Sequence, residues 1–133
     1  MVLLDLDRFK LVNDTRGHAT GDTVLREVAY RLRKELRAYD LVYRIGGEEF
    51  VVLLLGATPA ATSATAEMLR AAVAAEPIVG LDLTVSIGVA ASARGTAFDW
   101  DEVFARADAA LYRAKADGRD RVAVEPPSAL ALA

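Results

Sequence analysis

The stretch LVYRIGGEEFVVLLL, residues 41–55, constrains this chain more than any other. Two apolar runs, 41–45 and 50–55, flank a Gly46-Gly47 pair. That is the pattern of a β-hairpin, in which the glycines are expected to supply the positive φ of the turn. The same turn carries Glu48 and Glu49 side by side. Adjacent carboxylates repel each other, so the tip reads either as a solvated acidic turn or as a site that a cation completes.

The rest of the chain surrounds this hairpin with helices and further strands. VLLDL (2–6) reads as a buried strand, and 8–17 as a short helix or turn ended by a glycine. Residues 21–40 form an amphipathic helix with Val24, Val28, Leu32 and Leu36 at every fourth position. Asp22 falls at its start, where the helix dipole favours a carboxylate. An alanine-rich helix over 58–76 opens at Thr58-Pro59, a strand covers 81–92, and a helix over 99–118 stops at Gly118. A last strand covers 121–124. The order βααββαβαβ predicts an α+β fold: a mixed central sheet flanked by helices, in one domain over 1–124 with a loose tail at 125–133.

Composition narrows the function. With 53% hydrophobic and 26% charged residues the chain is globular rather than disordered. A net charge of -3 gives no global argument for a nucleic-acid polymer or an anionic membrane. There is no cysteine and one histidine, His18, so a bound metal must rely on carboxylates and carbonyls. Those donors suit Mg²⁺ or Mn²⁺. No apolar run reaches the roughly 20 residues that span a bilayer. The start lacks the apolar region of a signal peptide, which predicts a cytoplasmic location. The chain opens inside a strand, the expected look of a piece of a longer protein.

On an extended strand Asp5 and Asp7 of the DLD segment point to one face, Leu4 and Leu6 to the other. Taken alone, DLD is a solvated strand end. If its strand neighbours the hairpin, Asp5 and Glu48 converge, and a divalent ion relieves their repulsion. Two carboxylates and phosphate oxygens around such an ion are the usual apparatus of phosphoryl transfer.

At this point the motifs resemble a known family. RIGGEEF (44–50) is similar to the signature of GGDEF-domain diguanylate cyclases in its GGEEF form. LLDLDRFKLVNDTRGHATGDTVL, LTVSIGVA and RADAALYRAKADGRDRV resemble that family's opening block, central strand and closing helix and strand. The resemblance runs from residue 2 to about 124 and implies a fold like that of the palm-like nucleotidyl cyclases. It also implies the joining of two GTP molecules into cyclic di-GMP, with release of two pyrophosphates, by an antiparallel homodimer.

By the same resemblance Asp5, Glu48 and the carbonyl of Leu6 hold Mg²⁺ or Mn²⁺, two ions per site. Glu48 accepts the proton of the attacking 3′-hydroxyl, and Glu49 shares that role or positions metal. Gly46 and Gly47 let phosphates approach the backbone. The N–H groups of Arg8 and Phe9, with Lys10, Lys115 and Arg119, contact the phosphates. Asn13 and Asp22 read guanine, whose N1–H and N2–H donors suit a carboxylate. Without the resemblance, Asp22 is a first-turn helix carboxylate and Asn13 a helix terminator. His18 stands beside them, either on the nucleotide or as a structural histidine.

Arg37 and Asp40 stand nine and six positions before Gly46 and match the family's RxxD inhibitory site for cyclic di-GMP. As an isolated pattern they are an ordinary i,i+3 pair. Arg70 is the candidate for a further arginine of that site on the next helix. The chain lacks the L-T-G-L-x-N-R-like segment that precedes the domain in the family, and it has Asp120 where the family prefers Asn, read here as a local turn difference. The competing readings are a non-catalytic receptor for GTP or cyclic di-GMP, and another palm-like cyclase or polymerase.

Overall fold

A computed structural model describes residues 1–126; residues 127–133, most of the expected tail, lie outside the described part. The elements are β1 (Val2–Leu6), α1 (Phe9–Arg16), α2 (His18–Glu35), β2 (Leu41–Arg44), β3 (Glu49–Leu53), α3 (Pro59–Ala74), β4 (Val85–Ala90), α4 (Trp100–Ala116) and β5 (Val122–Glu125). This is the predicted order. The five strands lie as β2-β3-β1-β4-β5. β1 is antiparallel to both β3 and β4, β2 is antiparallel to β3, and β4 is parallel to β5.

All five residues of β1 are buried, because it is the central strand with a layer on each face. Val2, Leu4 and Leu6 join one core with Val24, Val28 and Leu32 of α2 and Leu69 and Val73 of α3. Leu3 points the other way, into a second core with Val51, Val103, Ala107 and Leu111 under α4. Each of these leucines and valines contributes about 1.5–3 kcal/mol of burial. The alternation places Asp5 on the α4 side, at the end of the second core.

The helices start where their caps direct. Thr58 Oγ1 accepts a hydrogen bond from Ala61 N at 3.1 Å with proline following it, and Asp99 Oδ1 accepts from Glu102 N at 3.1 Å. In α4, Asp101 and Glu102 fill the first turn and Arg113 and Lys115 the last, matching the helix dipole.

Four expectations change. First, α2 begins at His18 rather than residue 21, because Gly17, at φ 86°, already separates it from α1. Asp22 is therefore past the first turn, and the dipole argument for it lapses. Second, α2 ends at Glu35 rather than Asp40. The next residues turn back, held by Arg33 Nη1 donating to the Asp40 carbonyl at 2.8 Å and by Arg37 N donating to Asp40 Oδ2 at 2.9 Å. Third, β4 covers only 85–90; Thr84, just before it, faces Asp7, whose N–H its carbonyl accepts at 3.0 Å and whose Oδ2 it bonds through its hydroxyl at 2.6 Å. Fourth, the β2–β3 hairpin forms, but neither Gly46 nor Gly47 has a positive φ. The turn residues 45–48 reach across with Ile45 N donating to Glu49 O at 3.0 Å, which needs no left-handed residue.

Candidate active site

β1 and β3 decide which carboxylates meet. In their register Asp5 lies directly across from Glu49, so these two side chains share the α4 face. Glu48 sits one residue before the strand, half-buried, and its backbone carbonyl accepts from Leu6 N at 3.2 Å. The register gives Asp5 Glu49 as its cross-strand neighbour, and Glu48, the expected partner, lies in the turn just before β3.

α4 supplies the cation. Lys115, in its last turn, reaches across to Asp5 with Nζ–Oδ2 at 2.7 Å. The Glu49 carboxyl is held above its ordinary range, first by burial and then by the charge of Asp5; Lys115 works against the rise, while Asp108 and Glu48 add to it. The folded protein thus keeps a proton on Glu49 that the unfolded chain has already released, so stability falls as pH rises through that interval. Glu49→Gln removes this penalty. In a chelator-treated sample we expect its melting temperature to match wild type below about pH 4, where Glu49 is protonated in both states. Above that the variant gains a few degrees and then levels off. Equal melting curves at neutral pH would contradict the charge conflict.

Among the described residues, no three His, Cys, Asp or Glu side chains gather as a group able to hold a metal ion. The available donors are the carboxylates of Asp5, Glu48 and Glu49 and the carbonyl of Leu6, all hard oxygens. They fit a hard divalent cation on charge grounds: a facing acid pair exists, and Glu49 is still short of positive charge with Lys115 already on Asp5.

Other predicted residues fall around this pair. No side chain caps α1, whose N-cap Arg8 is left-handed at φ 58°; Leu11 N donates to the Arg8 carbonyl at 3.1 Å. Phe9 is buried, while Lys10 and His18 are exposed. Asn13 lies against Gly21: a Cβ at that glycine would come within 2.0 Å of Asn13 Oδ1. Asn13 thereby stands beside the residue preceding Asp22. Asp22 opens onto a cavity of about 370 Å³ floored by Leu25, Ala29, Val42 and Phe50, with Arg44 at the hairpin end. Gly47 has open space around a hypothetical Cβ and Gly46 meets only the Glu49 side chain, at 3.3 Å. The protein itself asks for no glycine at position 47. Arg119 is exposed and left-handed, at φ 65°.

Arg37 and Asp40 form a two-pronged pair, Nε–Oδ2 3.1 Å and Nη2–Oδ1 2.9 Å, and the Arg37 guanidinium lies 4.6 Å from the Tyr39 ring centre. The hydrogen bonds from Arg37 hold the buried Asp40 carboxyl below its usual range. They line a cavity of about 330 Å³ with Thr58, the N-cap of α3, and Ala61 and Thr65 of that helix. Arg70 is not part of it. Its guanidinium bonds Glu67 and, at 2.8 Å, Asp120 at the entry to β5. Asp120 is therefore an anchor point between α3 and the α4–β5 loop, more than a local turn variant. Asp7, expected in a solvated strand end, is instead buried and bonded to Thr84, Ser86 and Asp120. The alternation of Thr84 and Ser86 with Val85 and Ile87 is the signal that two hydroxyls share one face there.

A mixed five-stranded sheet with an acid pair across β1 and β3 and a lysine from α4 upon it defines a palm-like α+β domain. Residues 1–121 match the family described as "Diguanylate cyclase, GGDEF domain". The chain is 48% identical over 132 residues to "Diguanylate cyclase DgcP" of Pseudomonas aeruginosa, covering 93% of this chain and 19% of that protein. Its fold is similar to the active GGEEF domain of a diguanylate cyclase from Vibrio cholerae, with TM-score 0.85 and 31% identity over 96% of this chain and 82% of that one. It is also similar to the GGDEF domain of DgcB from Caulobacter crescentus in complex with c-di-GMP, with TM-score 0.83 and 35% identity over 93% and 75%. The chain belongs to the GGDEF domain family. It spans less than a third of the length of the curated relatives it matches. No helix among the described residues is long and apolar enough to cross a membrane.

Proposed function

We propose that this chain is the catalytic domain of a diguanylate cyclase, joining two GTP molecules into cyclic di-GMP. The observation that carries the reading is the Asp5–Glu49 pair, with Glu48 next to it in the chain. Asp22 accepts the N1–H and N2–H groups of guanine and Asn13 adds an amide contact, so adenine is rejected for want of that donor pair. The uncapped first turn of α1, through the N–H groups of Arg8 and Phe9, receives the phosphates, with Lys10, Lys115 and Arg119 adding positive charge. Gly47, with nothing of the protein near it, leaves room for phosphate against the backbone.

Asp5, Glu49, Glu48 and the Leu6 carbonyl would hold Mg²⁺ or Mn²⁺, up to two ions, which neutralise the triphosphate and polarise its α-phosphate. On binding, Lys115 is released from Asp5 toward the phosphates. Glu48 accepts the proton of the 3′-hydroxyl as its oxygen bonds to the α-phosphorus and the bond to pyrophosphate breaks. One domain binds one GTP, so two domains face each other antiparallel and each 3′-oxygen attacks the partner's nucleotide. The Arg37–Asp40 cavity takes the product as an inhibitor, with Arg37 recognising phosphate or the guanine edge. The domain works in the cytoplasm, where GTP is available.

The test is a product assay with the folded protein and Mg²⁺. GTP is expected to give cyclic di-GMP with specific activity rising with protein concentration, and ATP to give nothing. A folded sample that makes no product from GTP at any concentration, with the family's preceding segment added, would refute the reading. Arg37→Ala is expected to weaken calorimetric cyclic di-GMP binding at least tenfold while leaving GTP turnover in place; unchanged binding would remove the inhibitory assignment.

A further inference from the structure

Asp5 sits in β1 and Asp7 in the turn just after it, yet the two do different things. Asp7 is 7% exposed and accepts three hydrogen bonds: Thr84 Oγ1 to Oδ2 at 2.6 Å, Ser86 Oγ to Oδ1 at 2.6 Å, and the backbone N–H of Asp120 to Oδ2 at 3.1 Å. All three partners are neutral donors, a set that an acceptor-only group satisfies. Thr84 lies just before β4, Ser86 within it, and Asp120 in the loop between α4 and β5.

That loop has an unusual backbone. Gly118, Arg119 and Asp120 are consecutive residues with φ of 121°, 65° and 45°. Left-handed conformations at two successive non-glycine residues persist only when their surroundings impose them. Three contacts do so here. Arg119 N donates to the Ala114 carbonyl at 2.9 Å, Arg70 binds the Asp120 carboxylate at 2.8 Å, and Asp7 takes the Asp120 N–H. Asp7 is the contact that ties the loop to the strand carrying Asp5. Arg119 lines the same 420 Å³ cleft as Asp7 and Arg8, beside the start of α1.

We infer that Asp7 is a positioning residue for nucleotide binding: its carboxylate fixes the left-handed turn that presents Arg119 to the phosphates, without touching them. The inference rests on the function proposed above. DLD then divides its labour, Asp5 facing the ion site and α4 through Lys115, and Asp7 setting the loop that follows α4.

Calorimetry with Mg²⁺ and 3′-deoxy-GTP, which lacks the attacking hydroxyl and is not consumed, reads this without turnover. Asp7→Ala and Arg119→Ala are each expected to weaken binding about tenfold, the loss of one well-made charged contact. The double variant is expected to fall within twofold of Arg119→Ala, because a misplaced arginine and a missing one are the same loss. Asp7→Asn is expected to restore most of the affinity. Its amide oxygen can take the place of Oδ2 while the Ser86 hydroxyl turns to accept from its NH₂. If Asp7→Ala fails to fold, Asp7→Ser takes its place in the cycle, leaving a hydroxyl for Thr84 and Ser86 but nothing that reaches Asp120. Wild-type affinity in the Asp7 variant, multiplicative losses in the double, or an Asn variant as weak as Ala overturns the inference, the last because charge rather than placement would then be what matters. A wild-type protein that binds no nucleotide overturns the proposed function itself, and this inference with it.

Discussion

Glu48→Gln is expected to lower the formation of cyclic di-GMP at least about 100-fold if Glu48 is the proposed proton acceptor, the loss that removing such a group brings. The substitution is a clean one. Glu48 contributes to the fold through its backbone, whose carbonyl accepts from Leu6 N at 3.2 Å, and that bond survives any side-chain change. The carboxylate itself is half-buried at a hairpin end and enters no salt bridge among the described residues. The melting temperature is therefore expected to stay within the small range of ordinary surface substitutions. Glutamine keeps the size and one oxygen but neither takes a proton nor brings charge to an ion. Undiminished turnover by a folded Glu48→Gln protein would remove Glu48 from the chemistry and move the role to Glu49.

The largest effect on stability is expected in the core under α4, two residues along β1 from Asp5. Gly88 is the fourth residue of β4, in the middle of the sheet and opposite Leu3 of β1. A Cβ there would stand 2.1 Å from the carbonyl oxygen of Ala107 and 2.4 Å from the backbone nitrogen of Leu111, both in α4. These are backbone atoms, so no rotamer change makes room; α4 has to lift off the sheet. Overpacking of a rigid core costs about 3 kcal/mol or more, and Gly88→Ala should lower the melting temperature by roughly 10 °C. The effect is also functional. α4 carries Lys115 to Asp5, so a displaced helix loosens the one cation now on the acid pair. Thermal unfolding of Gly88→Ala within a degree or two of wild type would show that α4 tolerates retraction and that its close seat is not required.

The two predictions separate what the chain does locally from what it does by folding. Glu48 and Glu49 were visible as an acidic turn between two apolar runs, and their need for a cation followed from charge alone. Which of them faces Asp5 was not visible. Pairing depends on the register between β1 and β3, a relation between residues more than 40 positions apart that a one-residue shift would reverse. The glycine pair was read as a turn that required positive φ; the turn formed without it, because the hairpin closes through a longer set of residues. The start of α2 was misplaced by one turn because Gly21 resembles a boundary, whereas it is an interior position kept small by the Asn13 side chain.

The sequence by itself determined the order of the nine elements, the two apolar faces of the central strand, and the chemical types at the site: hard oxygen donors, a few cations, and glycines. These follow from periodicity and side-chain chemistry, which are properties of single positions and their near neighbours. The tertiary structure decided the combinations. Lys115 meets Asp5 across 110 residues, Asp7 meets Asp120 across 113, and Arg70 turns to Asp120 instead of to Arg37 and Asp40. The physical reason is that hydrogen bonds and ion pairs extend only about 3 Å. Such partners are chosen when strand register and helix packing bring distant segments together, and nothing in the spacing along the chain records that choice.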